Sequence, residues 1–194
     1  MILIGLGANL PSPRHGEPRA TCGAALESLT EAGLLIVGRS RWYKSAPVPV
    51  SDQPWFVNAV VQVKTALTPE NLMGLLGQTE EDFGRIRDKP NAPRILDLDL
   101  LAYGEIVLSR EEKGAPALHV PHPRMTDRAF VLLPLRDVAP GWRHPVENLT
   151  VDEMIFHLSE GQQTEPMIDA GGVFGTEWRD KKPVIRPGNE IKSP

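Results

Sequence analysis

The stretch Arg94-Ile95-Leu96-Asp97-Leu98-Asp99-Leu100 decides the reading of this chain. Side chains on a strand alternate between its faces, so Leu96, Leu98 and Leu100 share one side and Asp97 and Asp99 the other. The leucines can bury against helices while two carboxylates stand in parallel, about 7 Å apart along the backbone. Like charges held that close on a sheet repel each other unless a cation lies between them. Hard oxygen donors with open positions suit Mg²⁺, which takes a carboxylate or two and completes its shell with water and phosphate oxygens. Two such ions bridging a polyphosphate would serve an in-line displacement. The plainer alternative is a solvated polar face on a one-sided sheet.

The flanking sequence favours the phosphate reading. Arg85 and Arg87 come shortly before the carboxylates, Arg94 opens the same strand, and Pro121-His122-Pro123 and Arg128 follow. A guanidinium offers planar, permanent charge to phosphate oxygens. Any one of these arginines alone reads as a surface charge, and His122 alone as a structural histidine in a proline-bounded turn. Together they describe a site for a polyphosphate and its metals.

Working outward, Ile2 to Gly7 reads as a buried strand running into a glycine turn, and not as a signal peptide. Cys22, Ala25, Leu26, Leu29 and Ala32 recur at helical spacing, and Gly33 stops that helix. Leu34 to Tyr43 and Trp55 to Thr65 read as strands, joined by an irregular loop from Ser45 to Pro54 stiffened by Pro47, Pro49 and Pro54. Thr68-Pro69 is an N-cap with proline at the first helical position, and Leu72, Leu75, Leu76 and Phe83 carry the helix onward. A second irregular stretch, Gly84 to Pro93, leads into the strand from Arg94 to Tyr103. Asp127 to Val138 reads as a helix that Pro134 kinks or breaks. Thr150 and Glu153 form a capping box for a last short helix through Leu158, closed by Gly161.

That order, β-α-β-β-α-β, predicts an α+β fold: a ferredoxin-like (split βαβ) antiparallel sheet with helices on one face, plus appended C-terminal helical elements. Residues 1–161 would form a single catalytic domain. Residues 162–194, with several Gly and Pro and no periodicity, would be an extended or disordered tail.

Bulk properties narrow the function classes. A formal net charge of −4 over 194 residues asks for neither nucleic acid nor an anionic membrane. Cys22 is the only cysteine, which excludes an intramolecular disulfide and a cysteine-based zinc site. No apolar run approaches the ~20 residues that span a bilayer. The expected compartment is the cytoplasm. Gly5-Leu6-Gly7 lacks the lysine and spacing of a P-loop.

Several separated segments resemble the hydroxymethyldihydropterin pyrophosphokinases, over about residues 1–160. Gly7-Ala8-Asn9-Leu10 is similar to that family's G-S-N-L, and Ser40 to Pro47 to its S-x-x-Y-x-T-x-P segment. Asp52-Gln53-Pro54-Trp55-Phe56-Val57-Asn58 matches D-Q-P-x-[YF]-x-N. Pro93 to Asp99 matches P-R-T-L-D-[LI]-D, and Val120 to Met125, with Arg128 and Phe130, matches V-P-H-x-x-M and R-x-F. The resemblance implies transfer of pyrophosphate from MgATP to the hydroxymethyl group of 6-hydroxymethyl-7,8-dihydropterin, releasing AMP, in folate biosynthesis.

It also implies roles. Asp97 and Asp99 would hold two Mg²⁺ ions, and Arg85 and Arg94 would stabilise charge on the transferring group. Glu80, Arg87, His122 and Arg128 would serve ATP and its phosphates. Asn58 would bond the pterin's amide-like edge, Phe56 and Phe130 would sandwich its ring, and Ser45, Ala46 and Val48 would complete the pocket. Loops 44–54 and 84–93 would close over the site. Departures fall in the loops: Asn91 and Ala92 stand where tryptophan and glycine are frequent, Ala46 where proline is, Pro49 where glycine is, and Gly77 where glutamine is. The expected partners are thus small molecules, ATP and the pterin. The rivals are a catalytically silent pterin- or nucleotide-binding homologue, an enzyme of the same fold acting on another alcohol, and an RNA-binding module. An acidic sheet face argues against the last of these.

Overall fold

The protein is described by a computed structural model covering residues 1–85, 92–111 and 117–168. Strand β1 (Ile2–Ala8) leads into helix α1 (Pro18–Glu31), then β2 (Leu35–Arg39), β3 (Tyr43–Ser45) and β4 (Phe56–Lys64). Helix α2 (Pro69–Asp82) precedes β5 (Asp97–Tyr103) and a small hairpin of β6 (Leu108–Arg110) and β7 (Leu118–Val120). Helices α3 (Ala129–Val138) and α4 (Val151–Phe156) and a short strand β8 (Thr164–Pro166) complete the order.

The main sheet is antiparallel, in the order β5-β1-β4-β3-β8, with β2 also on β4. The local signals fold as read. Thr68 accepts the Asn71 N–H at the start of α2, Thr150 and Glu153 close a reciprocal capping box, and Gly33 ends α1 at φ +97°. Helix α3 passes through Pro134 without breaking.

Two readings are corrected. Helices cover both faces of the sheet, not one. On one face Ile4, Leu6, Leu98 and Leu100 pack with Cys22, Leu26 and Leu29 of α1 and with Leu72 and Leu76 of α2. On the other, Leu3, Val60 and Leu101 pack with Leu132 and Leu135 of α3, with Trp142, and with Met154 of α4. A register shift between Leu3 and Ile4 leaves Leu101 unpaired, so Leu101 and Ala102 both enter this second core. The second core covers that face only in part. Beyond it, Gly5, Gly7, Asn58, Asp97 and Asp99 line an open cleft.

The strand expected over Leu34–Tyr43 is two strands. Between them the Ser40 hydroxyl accepts the Val60 N–H (3.0 Å) and donates to the Arg41 carbonyl (2.6 Å), standing in for ladder bonds. A charged cluster then ties β3 to α3: Arg41 grips both oxygens of Asp137, and Tyr43 donates to the same carboxylate.

The chain also stays in the sheet beyond Gly161. Strand β8 pairs residue for residue with β3, the Met167 N–H donates to the Trp42 carbonyl (2.8 Å), and Lys44 pairs with Glu165 (2.8 Å). The Gln162 amide oxygen accepts the Ala129 N–H (2.9 Å) while its nitrogen donates to the Asp127 carbonyl (2.8 Å), tying down the start of α3. The remainder of the expected tail, 169–194, lies outside the described residues. A chain ended after Gly161 is therefore expected to be less stable than one ended after Ile168, by on the order of 2 kcal/mol, or roughly 4–8 °C. Thermal unfolding of the two truncations checks this, and equal midpoints would make β8 an ornament of the sheet.

Candidate active site

Two glycines of β1 make the floor of the site. Gly5 and Gly7 sit opposite Asp99 and Asp97 of β5 on one side and Val60 and Asn58 of β4 on the other. With no side chain at Gly7, Asp97 and Asn58 face each other across bare backbone, while the Leu101 side chain packs over Gly5. The result is a cleft of about 670 Å³, walled by the loop from Ser45 to Gln53, by Phe56, by Arg85 and Arg94, and by Arg124, Arg128 and Phe130.

The alternation read from the sequence places Asp97 and Asp99 on the cleft face, with Leu98 and Leu100 in the core. What neutralises Asp97 is guanidinium. Arg85 Nη1 lies 2.8 Å from Asp97 Oδ1 and Arg94 Nη1 2.7 Å from Oδ2, so both oxygens are engaged. Asp99 has no ion pair among the described residues. Burial and the neighbouring Asp97 charge push its carboxyl up to about 6, against the pull of Arg128, Arg85 and Arg94.

Arg94 does not open the strand as the sequence suggested, because β5 begins at Asp97. Its backbone is fixed instead by Asn9, whose role the sequence did not reveal. Arg94 N–H donates to Asn9 Oδ1 (2.7 Å), and the N–H groups of Asn9 and Leu10 donate to the Arg94 carbonyl (3.0 and 3.1 Å). Asn9 Nδ2 donates to the Pro54 carbonyl (3.1 Å). One amide, 2% exposed, thus joins the end of β1, the loop before β4 and the arginine segment.

Glu80, expected beside ATP, is not among the cleft-lining residues and lies behind Arg85. Its Oε1 accepts the Leu98 N–H (2.7 Å) and pairs with Arg85. Burial raises this carboxyl to about 7, opposed by the Leu98 N–H and by Arg85. The geometry makes Glu80 the anchor that sets Arg85 against Asp97.

Arg128, which also lines the cleft, is the N-cap residue of α3, its guanidinium 5.3 Å from the centre of the Phe130 ring. Arg124 lines the cleft beside it. The His122 Nδ1 accepts the Arg124 N–H (3.2 Å), which leaves Nε2 to carry the proton. Burial, with Arg128 and Arg124 nearby, brings His122 down to about 4 and keeps it neutral. His122 does not itself line the cleft.

At the other end, Asn58 Nδ2 donates to Ser45 Oγ (2.9 Å) in a buried contact. That bond orients the amide and leaves its oxygen toward Gly7. Phe56, Ala46, Val48 and Phe130 of α3 line the same cleft. An amide flanked by aromatic faces suits a flat polar heterocycle. Of the residues singled out in the sequence, Arg87 and Asn91 lie outside the described residues.

The donor set bears on a cation. Among the described residues no cluster of three or more His, Cys, Asp or Glu is formed. Asp97 and Asp99 supply carboxylate oxygens and nothing more, which fits an ion that takes the rest of its shell from water and phosphate, as Mg²⁺ does.

Residues 3–140 match the family model described as 7,8-dihydro-6-hydroxymethylpterin-pyrophosphokinase (HPPK). The 2-amino-4-hydroxy-6-hydroxymethyldihydropteridine pyrophosphokinase of Pseudomonas aeruginosa is 43% identical over 144 residues, 74% of this chain and 83% of that protein. The protein of the same name from Methylorubrum extorquens is 38% identical over 138 residues, 71% and 81% of the two chains. The folic acid synthesis protein fol1 of Pneumocystis carinii is 36% identical over 150 residues, 77% of this chain but only 19% of that longer protein. In three dimensions the chain resembles Plasmodium falciparum HPPK-DHPS, with a TM-score of 0.63 and 16% identity. That alignment covers 79% of this chain and 43% of the other. The likeness is one of fold, the ferredoxin-like arrangement read from the order of elements.

Proposed function

The chain belongs to the 7,8-dihydro-6-hydroxymethylpterin-pyrophosphokinase family, and from that premise we propose that it transfers pyrophosphate from MgATP to 6-hydroxymethyl-7,8-dihydropterin, releasing AMP. The product feeds folate synthesis. The observation that carries this reading is the juxtaposition, across Gly7, of the oriented Asn58 amide and the arginine-clamped Asp97. One end of the cleft recognises a planar amide edge, and the other handles phosphate.

In the reaction, the substrate's hydroxyl oxygen bonds to the β-phosphorus of ATP. The bond from that phosphorus to the α,β-bridging oxygen breaks, AMP departs with the bridging oxygen, and the hydroxyl proton passes to solvent. Ser45 and Asn58 would hold the pterin edge, and Phe56 and Phe130 its faces, so that the hydroxymethyl group points toward Asp97 and Asp99. Those two carboxylates would hold the Mg²⁺ ions of the nucleotide complex, which supply charge neutralisation on the phosphates. Arg85 and Arg94, exchanging Asp97 for phosphate oxygens, would stabilise charge building on the transferred group, and Arg128 would also hold the phosphate chain. Catalysis here is positioning and fixed charge, and needs no strong general base. The loop from Ser45 to Gln53 forms one wall of the cleft and could close over it. In the other expected lid segment, 84–93, residues 86–91 fall outside the described residues. No helix among the described residues is long and apolar enough to cross a membrane.

The direct test is to incubate the protein with MgATP and the pterin and to chromatograph the nucleotides. AMP formed only with the pterin supports the proposal. ADP would make the protein an ordinary kinase, and tight binding of both substrates without turnover would make it a silent homologue.

A further inference from the structure

The cleft has two cationic poles, and they differ. Arg85 and Arg94 are both spent on Asp97. Arg124 and Arg128 form no ion pair with any carboxylate among the described residues, yet both line the same cleft. They are close enough for each to matter to the other: Arg128 is made less basic first by its burial and then by the charge of Arg124. Asp99 and Asp97 offset part of the repulsion between these two guanidinium groups without forming an ion pair with either, and an anion that binds both arginines recovers the rest.

The position of Arg124 is held by its backbone. Its N–H is bound to His122 Nδ1, the Met125 N–H donates to the His122 carbonyl (3.1 Å), and the Met125 side chain is fully buried. The His122 N–H donates in turn to the Leu101 carbonyl of β5 (2.9 Å), which fastens this turn to the strand bearing the carboxylates. A surface arginine with a merely solvating role needs no such mount.

We propose that Arg124 is a polyphosphate-binding residue, gripping the terminal phosphates of the nucleotide together with Arg128 in the cleft that Arg85 and Arg94 also line. The assignment rests on the pyrophosphokinase reading above and adds a residue to it. A polyphosphate fits where a single carboxylate does not, since it can span both poles and the carboxylates between them. Arg124 is solvent-exposed, so its side chain can be changed without disturbing the core.

The test measures equilibrium binding of Mg²⁺ with α,β-methylene-ATP, of AMP, and of the hydroxymethyldihydropterin, by calorimetry on wild type, Arg124→Gln and Arg124→Lys. The glutamine variant is expected to bind the triphosphate analogue about tenfold more weakly. Its affinities for AMP and the pterin should stay within about twofold, and lysine should recover part of the loss. Its analogue affinity should also depend less on salt than that of wild type. Analogue affinity unchanged in Arg124→Gln would overturn the proposal, as would an equal loss for AMP or for the pterin. A wild-type protein that does not bind the analogue would instead defeat the pyrophosphokinase reading itself.

Discussion

Replacing Asp99 by asparagine is expected to lower turnover by about a thousandfold or more, while leaving the fold as stable as wild type or more so. The two effects have one origin. Asp99 stands in a half-buried position on β5 beside a second carboxylate, with no ion pair of its own among the described residues, and its charged form is disfavoured there. Asparagine keeps the shape and removes the charge, so the folded state is relieved of an unfavourable interaction. The same charge is what the site needs to hold a cation against phosphate. Asp97 should behave differently, because its removal by alanine strands Arg94 and leaves Arg85 only Glu80, which costs stability as well as activity. Turnover with Mg²⁺ as the only divalent ion, read beside the thermal midpoint, separates these cases. Near-normal turnover in Asp99→Asn would take that carboxylate out of the mechanism. A sharp fall in its midpoint would make it a structural residue.

For Asn9→Ala we expect both stability and catalysis to fall. The side chain is 2% exposed and satisfies the Arg94 N–H and the Pro54 carbonyl. Its removal leaves both without that partner in a buried setting, at a cost of about 1–3 kcal/mol for each group left unsatisfied. A total of about 2–6 kcal/mol corresponds to a fall of roughly 4–24 °C in the thermal midpoint for a chain of this size. The catalytic loss follows from geometry: Arg94 would no longer be fixed relative to Asp97, and a misplaced charged group can cost on the order of a hundredfold. Asn9→Asp sharpens the test, since it keeps an acceptor for Arg94 N–H and loses the donor to Pro54. It should retain more turnover than alanine at comparable stability. Equal turnover in the two variants would show that anchoring Arg94 is not what Asn9 does.

The readable parts of this chain were those whose physics is local. Thr68-Pro69 and the Thr150–Glu153 pair announce helix starts because the capping partners lie within one turn. Leu96-Asp97-Leu98-Asp99-Leu100 announces its own two faces because alternation is a property of the strand alone. The site's charged residues and Asn58 were legible as types in a pattern. What stayed hidden depends on distant partners. The contact from Asn9 to Arg94 spans 85 residues. The covering of the second face by α3 and α4 depends on Leu3, Val60 and Leu101 finding them. Strand β8 is three residues long and ends in proline, so nothing in its own sequence marks a strand, and it exists through β3. Glu80 came with the ATP residues that the resemblance implies; its contacts with the Leu98 N–H and Arg85 depend on partners outside α2.

The bare floor of the cleft separates what the fold tolerates from what the ligand requires. A methyl group placed on Gly7 would meet Asn58 Oδ1 at 3.5 Å and the Asp97 Cβ at 3.8 Å, ordinary contact distances, and the backbone there is an unstrained strand. The empty protein would therefore accept alanine at that position without complaint. The space so filled is the space between the amide that reads one substrate and the carboxylate that serves the other. Selection for a well-folded, well-expressed protein would be blind to such a change, and only selection for growth on the finished product would remove it. Gly7 is thus a position at which a lineage can lose its chemistry in one step while keeping its architecture. A sequence with the fold intact and a side chain here would be a candidate relic.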